Sequence, residues 1–311
     1  MHLIADIGAT HSRCAVIDSD GRTGAHKVFR NRNFDDLQGL LRTYLDQCAH
    51  RPGAAALAVA APLLQDHVRM PNLNWRFSQA SLKNELDLRE LVVVNDFAAV
   101  AWGLPALTRA DLQKIGGGAP VAGTAMTTLG PGSGLGVATV APCGDAWTVV
   151  EGEGGNITFS GVTVRQLAIT EQIRAQQGRC SAESLLSGPG LVNIYTALAA
   201  LKGRETTRPS PAKISQAAAQ GKALASEALD MFFEVLGTVA GNLALTVGAR
   251  GGVFVAGGIV PQLLEPFARS RFRQSFEDKG RYRFYLEAIP TYVITARYPA
   301  FRGLRRLLGY G

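Results

Sequence analysis

Leu3-Ile4-Ala5-Asp6-Ile7-Gly8-Ala9-Thr10 opens the chain with an apolar run that ends in a carboxylate, a glycine and a hydroxyl. Residues 3–7 read as a short buried strand that Gly8 terminates. Residues 12–18 alternate as a second strand, Asp20-Gly21 is a turn signal, and residues 26–30 return as a third. The same order begins again at residue 125, where residues 125–129 form a strand that runs into Gly130-Pro131-Gly132-Ser133-Gly134. Residues 135–140 and 147–151 follow as the next two strands. A strand, a glycine turn and a returning hairpin thus occur twice, about 120 residues apart. That repeat predicts two α/β lobes, each presenting backbone N–H groups to a shared cleft.

Between the two openings, Phe34, Leu37, Leu41, Leu45 and Cys48 fall at helical spacing, predicting a helix over 34–49. Residues 54–60 and 91–94 are further buried strands, and a helix opens near Phe97. In the second half, helical patterns cover 162–177 and 224–247, the latter a core helix or subunit contact. A buried strand at 252–256 ends in Gly257-Gly258. The fold class is α/β.

A chain of 311 residues is about twice the usual length of one domain, and 47% apolar with 18% charged residues is a globular balance. Ten of the 32 basic and three of the 25 acidic residues lie after position 268, so that stretch carries the whole formal charge of +7. A basic tail suits anionic ligands, nucleic acid among them, but its arginines read first as solvated faces and ion pairs. Cys14, Cys48, Cys143 and Cys180 form no C-x-x-C pair, which fits reduced thiols in the cytoplasm. The start lacks the basic region of a signal peptide, and the apolar run at 54–64 is too short to cross a bilayer, so no membrane partner is expected.

No lysine precedes Ser or Thr, which excludes a P-loop, and glycine at every second position from 130 to 136 fails the dinucleotide spacing. All five histidines lie at or before His67, so no H-E-x-x-H zinc site exists and no metal ligand set is expected. Asp6-Ile7-Gly8-Ala9-Thr10 can hold phosphate oxygens on backbone N–H groups and a hydroxyl, or can be an Asx-type turn that only ends a strand. Gly132 and Ser133 make the same offer from the second lobe. Asn95-Asp96-Phe97 follows an apolar strand, where Asp96 reads either as a general base or as a helix N-cap. Residues 151–156, Glu-Gly-Glu-Gly-Gly-Asn, form a poor helix or strand and a good loop for gripping sugar hydroxyls. Glu183 reads as a further acceptor or as a solvated helix residue.

Taken together these segments resemble the bacterial glucokinase family, of the actin/hexokinase-like sugar kinases, nearly end to end. The most specific stretches are Val94-Asn95-Asp96-Phe97, residues 130–136, Ser187-Gly188-Pro189-Gly190-Leu191-Val192-Asn193, residues 252–261 and residues 276–281. The resemblance implies a two-lobed, ribonuclease H-like fold with a central cleft: a small lobe of residues 1–105 plus 298–311 and a large lobe of residues 106–297. It implies ATP-dependent phosphorylation of glucose at the 6-hydroxyl, with Mg2+ held mainly by the nucleotide, in a homodimer. By position, Asp96 looks like the catalytic base, and Asn95, Glu153, Asn156 and Glu183 fall at sugar-binding positions. Asp6, Gly8, Ala9 and Thr10 match the first phosphate motif, Gly132 and Ser133 the second, and Gly257 and Gly258 the adenosine motif.

Three departures from that pattern stand out. Ala9 and His11 occupy the places of a glycine and an asparagine, and a Cβ at position 9 crowds a phosphate or strains a φ > 0 turn. Asn156 stands where the family has histidine, which implies altered sugar choice or weaker binding. Phe301, Leu304 and arginines fill a stretch where small residues let helices approach, which implies a changed closure. These changes motivate the alternatives of a kinase for another hexose and of an impaired, sugar-binding regulatory paralogue. Nucleic-acid binding is disfavoured because the chain opens directly on the first strand.

Overall fold

The computed structural model describes residues 1–24 and 26–310. Ala25, and Gly311 at the end of the expected small lobe, lie outside the described residues. The chain divides into two compact units, residues 1–108 with 143–151 and 296–311, and residues 109–142 with 152–295.

The first unit begins with β1 (His2–Ile7), β2 (His11–Ile17) and β3 (Lys27–Arg30), followed by α1 (Leu37–Leu45) and β4 (Ala54–Val59). Next come β5 (His67–Arg69), β6 (Arg76–Ser78), α2 (Gln79–Glu85), β7 (Glu90–Asn95) and α3 (Asp96–Gly103). The sheet order is β3-β2-β1-β4-β7, antiparallel in the first three strands and parallel from β1 through β4 to β7. Every residue of β4 is buried, as expected of a central parallel strand covered on both faces. Leu3, Ala5 and Ile7 join Leu57, Val59 and the α1 residues Leu37, Leu40, Leu41 and Tyr44 in one core. The helix expected over 34–49 is shorter, because Asp36 caps it: its Oδ1 accepts the Gly39 N–H at 2.7 Å.

The remaining elements are β8 (Leu112–Gly116), β9 (Met126–Pro131), β10 (Leu135–Cys143), β11 (Ala146–Gly152), α4 (Val164–Gln177), α5 (Gly188–Leu201) and α6 (Pro211–Ala219). Then follow α7 (Ala223–Val247), β12 (Gly252–Val255), α8 (Leu264–Ala268), α9 (Phe272–Glu277), α10 (Arg283–Ala288), β13 (Thr291–Ile294) and α11 (Pro299–Leu307). The second sheet has the order β11-β10-β9-β12-β13-β8. It repeats the first strand for strand, with an antiparallel meander followed by two parallel strands, and adds β8 antiparallel at the edge. This is the two-sheet arrangement of the actin/hexokinase-like fold. Helix α7 has the length and apolar content to cross a membrane, yet 72% of its apolar window is buried. Phe232, Phe233, Leu236 and Val239 pack there with Phe267, Phe272 and Phe276.

Helix α11 packs on β1 and β4, α3 packs on β4 and β7, and the two helices pack against each other. The two helices lie close despite the bulky residues of α11. A Cβ on Gly303 would lie 1.8 Å from the Ala99 carbonyl oxygen, and one on Gly103 would lie 3.1 Å from the Gly303 nitrogen. The two backbones therefore touch through glycine, while Phe301 and Leu304 are buried and Arg305 donates to the Gly21 carbonyl and Thr23 Oγ1 at 2.7 Å. Gly303→Ala should separate the helices at a cost of about 1–3 kcal/mol or more, the usual penalty of overpacking. Gly152→Ala, which meets open space, should change little. Urea unfolding midpoints of the two variants check this, and an unchanged Gly303→Ala midpoint would contradict the close approach.

Candidate active site

In the first unit the register aligns Ile7 with Val59 and Val59 with Asn95. The ends of β1, β4 and β7 thus fall in one row, at the carboxyl edge where α/β sheets bind ligands. Two of the sequence motifs leave that edge, one from β1 and one from β7, with β4 between them. The turn after β1 is held from within: the Gly8 N–H donates to the His11 carbonyl at 3.2 Å, and Asn31 Nδ2 donates to the Gly8 carbonyl at 2.7 Å. Asn31 is fully enclosed, accepts the Ser12 hydroxyl at 2.8 Å and gives its own N–H to the Thr10 carbonyl at 3.0 Å. Thr10 is exposed.

Ala9 does not strain this turn. Among the described residues only Asp87 and Tyr298 combine a side chain with positive φ, and Gly8 is not among the positive-φ glycines. The backbone penalty expected for replacing a glycine at position 9 is therefore absent. Asp6 lies mostly buried, and Arg13, its partner across β1 and β2, donates from Nη1 to Oδ2 at 3.0 Å. Burial pushes the Asp6 carboxyl up from the ordinary aspartate range, and Arg13 pulls it partly back. Cys14 alongside is an inert thiol, pushed far up by burial and then by the Asp6 charge.

The second motif resolves an ambiguity left by the sequence. The N-cap of α3 is Asn95, whose Oδ1 accepts the N–H groups of Phe97 and Ala98 at 2.9 and 3.3 Å. Its Nδ2 donates to the Ala61 carbonyl at 3.3 Å. Capping is therefore not the role of Asp96, which is the first helical residue and accepts the Phe97 N–H at 2.9 Å. Its carboxylate sits in the first turn of α3.

The second unit gathers the remaining candidates around Glu183. Its Oε2 accepts the Leu135 N–H at 2.8 Å, immediately after the 130–134 glycine turn, and its own N–H donates to the Gly155 carbonyl at 2.8 Å. One residue thus ties the glycine turn to the 153–156 loop. The turn is closed by Gly132 N–H to the Gly134 carbonyl at 2.8 Å, and the Gly188 N–H of α5 meets the Gly132 carbonyl at 2.8 Å, leaving Ser133 exposed. Gly257, at φ +82°, brings its Cα so close that a Cβ would lie 2.4 Å from the Pro131 carbonyl, while Gly258 faces open space. The expected loop over 151–156 starts later, because β11 runs through Gly152. Glu153 and Asn156 are exposed, with the Asn156 N–H bonded to the Glu153 carbonyl at 2.9 Å and its carbonyl accepting from Arg179 at 2.6 Å.

Asp6, Gly8, Ala9, Thr10, Asn95 and Asp96 therefore belong to the first unit, and Gly132, Ser133, Glu153, Asn156, Glu183, Gly257 and Gly258 to the second. Sequence reasoning missed Asn31 and Arg13. Neither breaks a periodicity, and only the pairing of distant strands shows what they hold. Among the described residues no group of three His, Cys, Asp or Glu side chains is placed to hold a metal ion.

The glucokinase family model matches residues 3–309. A glucokinase from Paramagnetospirillum magneticum is 43% identical over 99% of this chain and 97% of its own. The bifunctional protein glk of Paraburkholderia xenovorans is 41% identical over 98% of this chain, which spans 48% of that longer relative. Among solved structures, a glucokinase from an Antarctic psychrotroph superposes with a TM-score of 0.88 at 32% identity, covering 100% of this chain and 99% of its own. With a family model matched almost from end to end and relatives above 40% identity at nearly full length, this chain belongs to the glucokinase family.

Proposed function

We propose that this chain transfers the γ-phosphoryl group of ATP to the 6-hydroxyl of glucose, with Asp96 as general base. The observation that carries the role of Asp96 is the division of labour at the end of β7. Asn95 satisfies the helix cap, so the neighbouring carboxylate stands at the sheet's carboxyl edge without that duty. In the reaction, an Asp96 oxygen accepts the hydroxyl proton as the sugar oxygen attacks the γ-phosphorus, and the bond to the ADP oxygen breaks.

In the first unit, Gly8 shapes the phosphate turn, and the backbone N–H groups of Ala9 and Thr10 and the Thr10 hydroxyl donate to phosphate oxygens. In the second, Gly132 and Ser133 do the same, and Gly257 and Gly258 let the adenosine approach the backbone. Glu153, Asn156 and Glu183, with Asn95, bind sugar hydroxyls. Mg2+ would arrive on ATP and neutralise charge on the phosphate oxygens, with Asp6 the nearest carboxylate of the phosphate turn. Four unpaired cysteines fit a reducing cytoplasm, and a homodimer is the assembly we assign from the family resemblance.

Coupled ADP release with Mg-ATP and a panel of hexoses tests the reading, and silence with every sugar would overturn it. Asp96→Asn should retain glucose binding and lower kcat by at least ~10²; unchanged turnover would remove Asp96 from the mechanism. Asn156→His should tighten glucose binding in a titration, and an unchanged affinity would mean that the 153–156 loop does not meet the sugar. Burial raises the Asp6 pKa in the fold, so its contribution to stability is greatest below the ordinary aspartate range and is lost as the pH rises through the raised value. The Tm of the wild type relative to Asp6→Asn should accordingly fall as the pH rises above the ordinary aspartate value of about 4. Melting curves that stay parallel above that value would mean that Arg13 compensates the buried charge in full.

A further inference from the structure

Tyr298 immediately precedes α11 and holds a left-handed backbone, φ 59° and ψ 60°. Glycine, asparagine and aspartate tolerate that conformation; a tyrosine has no short polar group with which to offset it. A side chain that persists in such a state is over-determined by its surroundings, and outliers of this kind cluster at functional sites.

The surroundings are specific. The Tyr298 ring packs edge-on against His26 with centroids 4.5 Å apart, and Phe301 lies at 5.7 Å. Two guanidinium groups sit on the ring, Arg297 at 5.0 Å and Arg13 at 5.4 Å from the centroid. Arg297 is exposed, whereas Arg13 is the residue that donates to Asp6 at 3.0 Å. Arg13 is thus fixed at two places, by a carboxylate on β1 and by an aromatic face 285 positions further along the chain. An arginine held between an ion pair and a ring face loses the rotamer freedom that would let it swing into water.

We infer that Tyr298 is a positioning residue for the nucleotide phosphates: it holds Arg13 against Asp6 and so orients the carboxylate of the first glycine turn. This inference rests on the reading that residues 6–10 handle ATP phosphates. The phosphate motif at the amino terminus then has a component in the carboxyl-terminal segment. It also explains why a residue so ill-suited to the left-handed turn occupies it, since the residues that suit the turn have no ring to offer Arg13.

The test is steady-state kinetics with ATP and glucose varied separately, together with Tm, for Tyr298→Phe, Tyr298→Asn, Arg13→Gln, the double variant Tyr298→Asn/Arg13→Gln, and Asp6→Asn. Tyr298→Phe keeps the ring and should match the wild type within about twofold. Tyr298→Asn relaxes the backbone, so its Tm should be equal or higher, yet its KM for ATP should rise about threefold to tenfold with the KM for glucose unchanged. Arg13→Gln should reproduce that change, and the double variant should be no worse than Arg13→Gln alone, because both act through one contact. A KM for ATP unmoved in Tyr298→Asn, a Phe variant as impaired as the Asn variant, or additive effects in the double variant would each overturn the inference. If Asp6→Asn itself leaves kcat and the KM for ATP unchanged, the reading of the turn fails and the inference with it. If Asp6→Asn is impaired while Tyr298→Asn is not, the reading stands and only the role of Tyr298 falls.

Discussion

Parallel pairing of β1 with β4 and of β4 with β7 brings three strand ends to one edge of the first sheet, and the chemistry of this unit follows from that alignment. Each strand that ends there releases its chain into a turn or a helix start at the edge where α/β sheets bind ligands. The chain places a carboxylate just before the exit of β1 and another just after the exit of β7. Neither position would serve if the register slipped by one residue, because every side chain would change face. The burial of all six residues of β4 is what makes the register unambiguous.

The second sheet repeats the pairing, with β9 and β12 in parallel, and its exits are again glycine turns. What differs is how the turn is stiffened. In the first unit a buried neutral side chain, Asn31, braces the turn through three hydrogen bonds to backbone and hydroxyl groups. In the second, a carboxylate, Glu183, accepts a backbone N–H beside the turn and bonds the neighbouring loop through its own amide. A charge-assisted bond of this kind is about twice as strong as a neutral one. Glu183 accepts the Leu135 N–H with Oε2, and its Oε1 is the acceptor for the sugar hydroxyl proposed above.

Much of this was legible in the sequence where the signal was local. Apolar runs ending in glycine located β1, β9 and β12, and the repeat of strand, turn and hairpin gave both sheets their order. The strands that went unread, β5, β6, β8 and β13, have three to five residues each, too few for a period of two to declare itself. Whether Asp96 caps α3 stayed open because asparagine and aspartate cap almost equally well, and only hydrogen-bond geometry decides between them. The contacts of Arg13 and Tyr298 were invisible for a different reason. A left-handed tyrosine has no sequence signature, and its partners are remote in the chain. Likewise the close approach of α3 and α11 was not legible among the bulky residues of α11, where one glycine at 303 keeps two backbones together.

That glycine contact also fixes the order in which the molecule can be completed. Helix α3, which carries Asp96, is covered by α11, and α11 ends four residues before the carboxyl terminus. During synthesis at ~5–20 residues per second, the first strands of the chain are therefore available long before the helix that covers them. Residues 152–295 of the second unit all emerge earlier than α11. The first unit is closed only once α11 has been made, so removal of α11 would strip the packing around the proposed catalytic base.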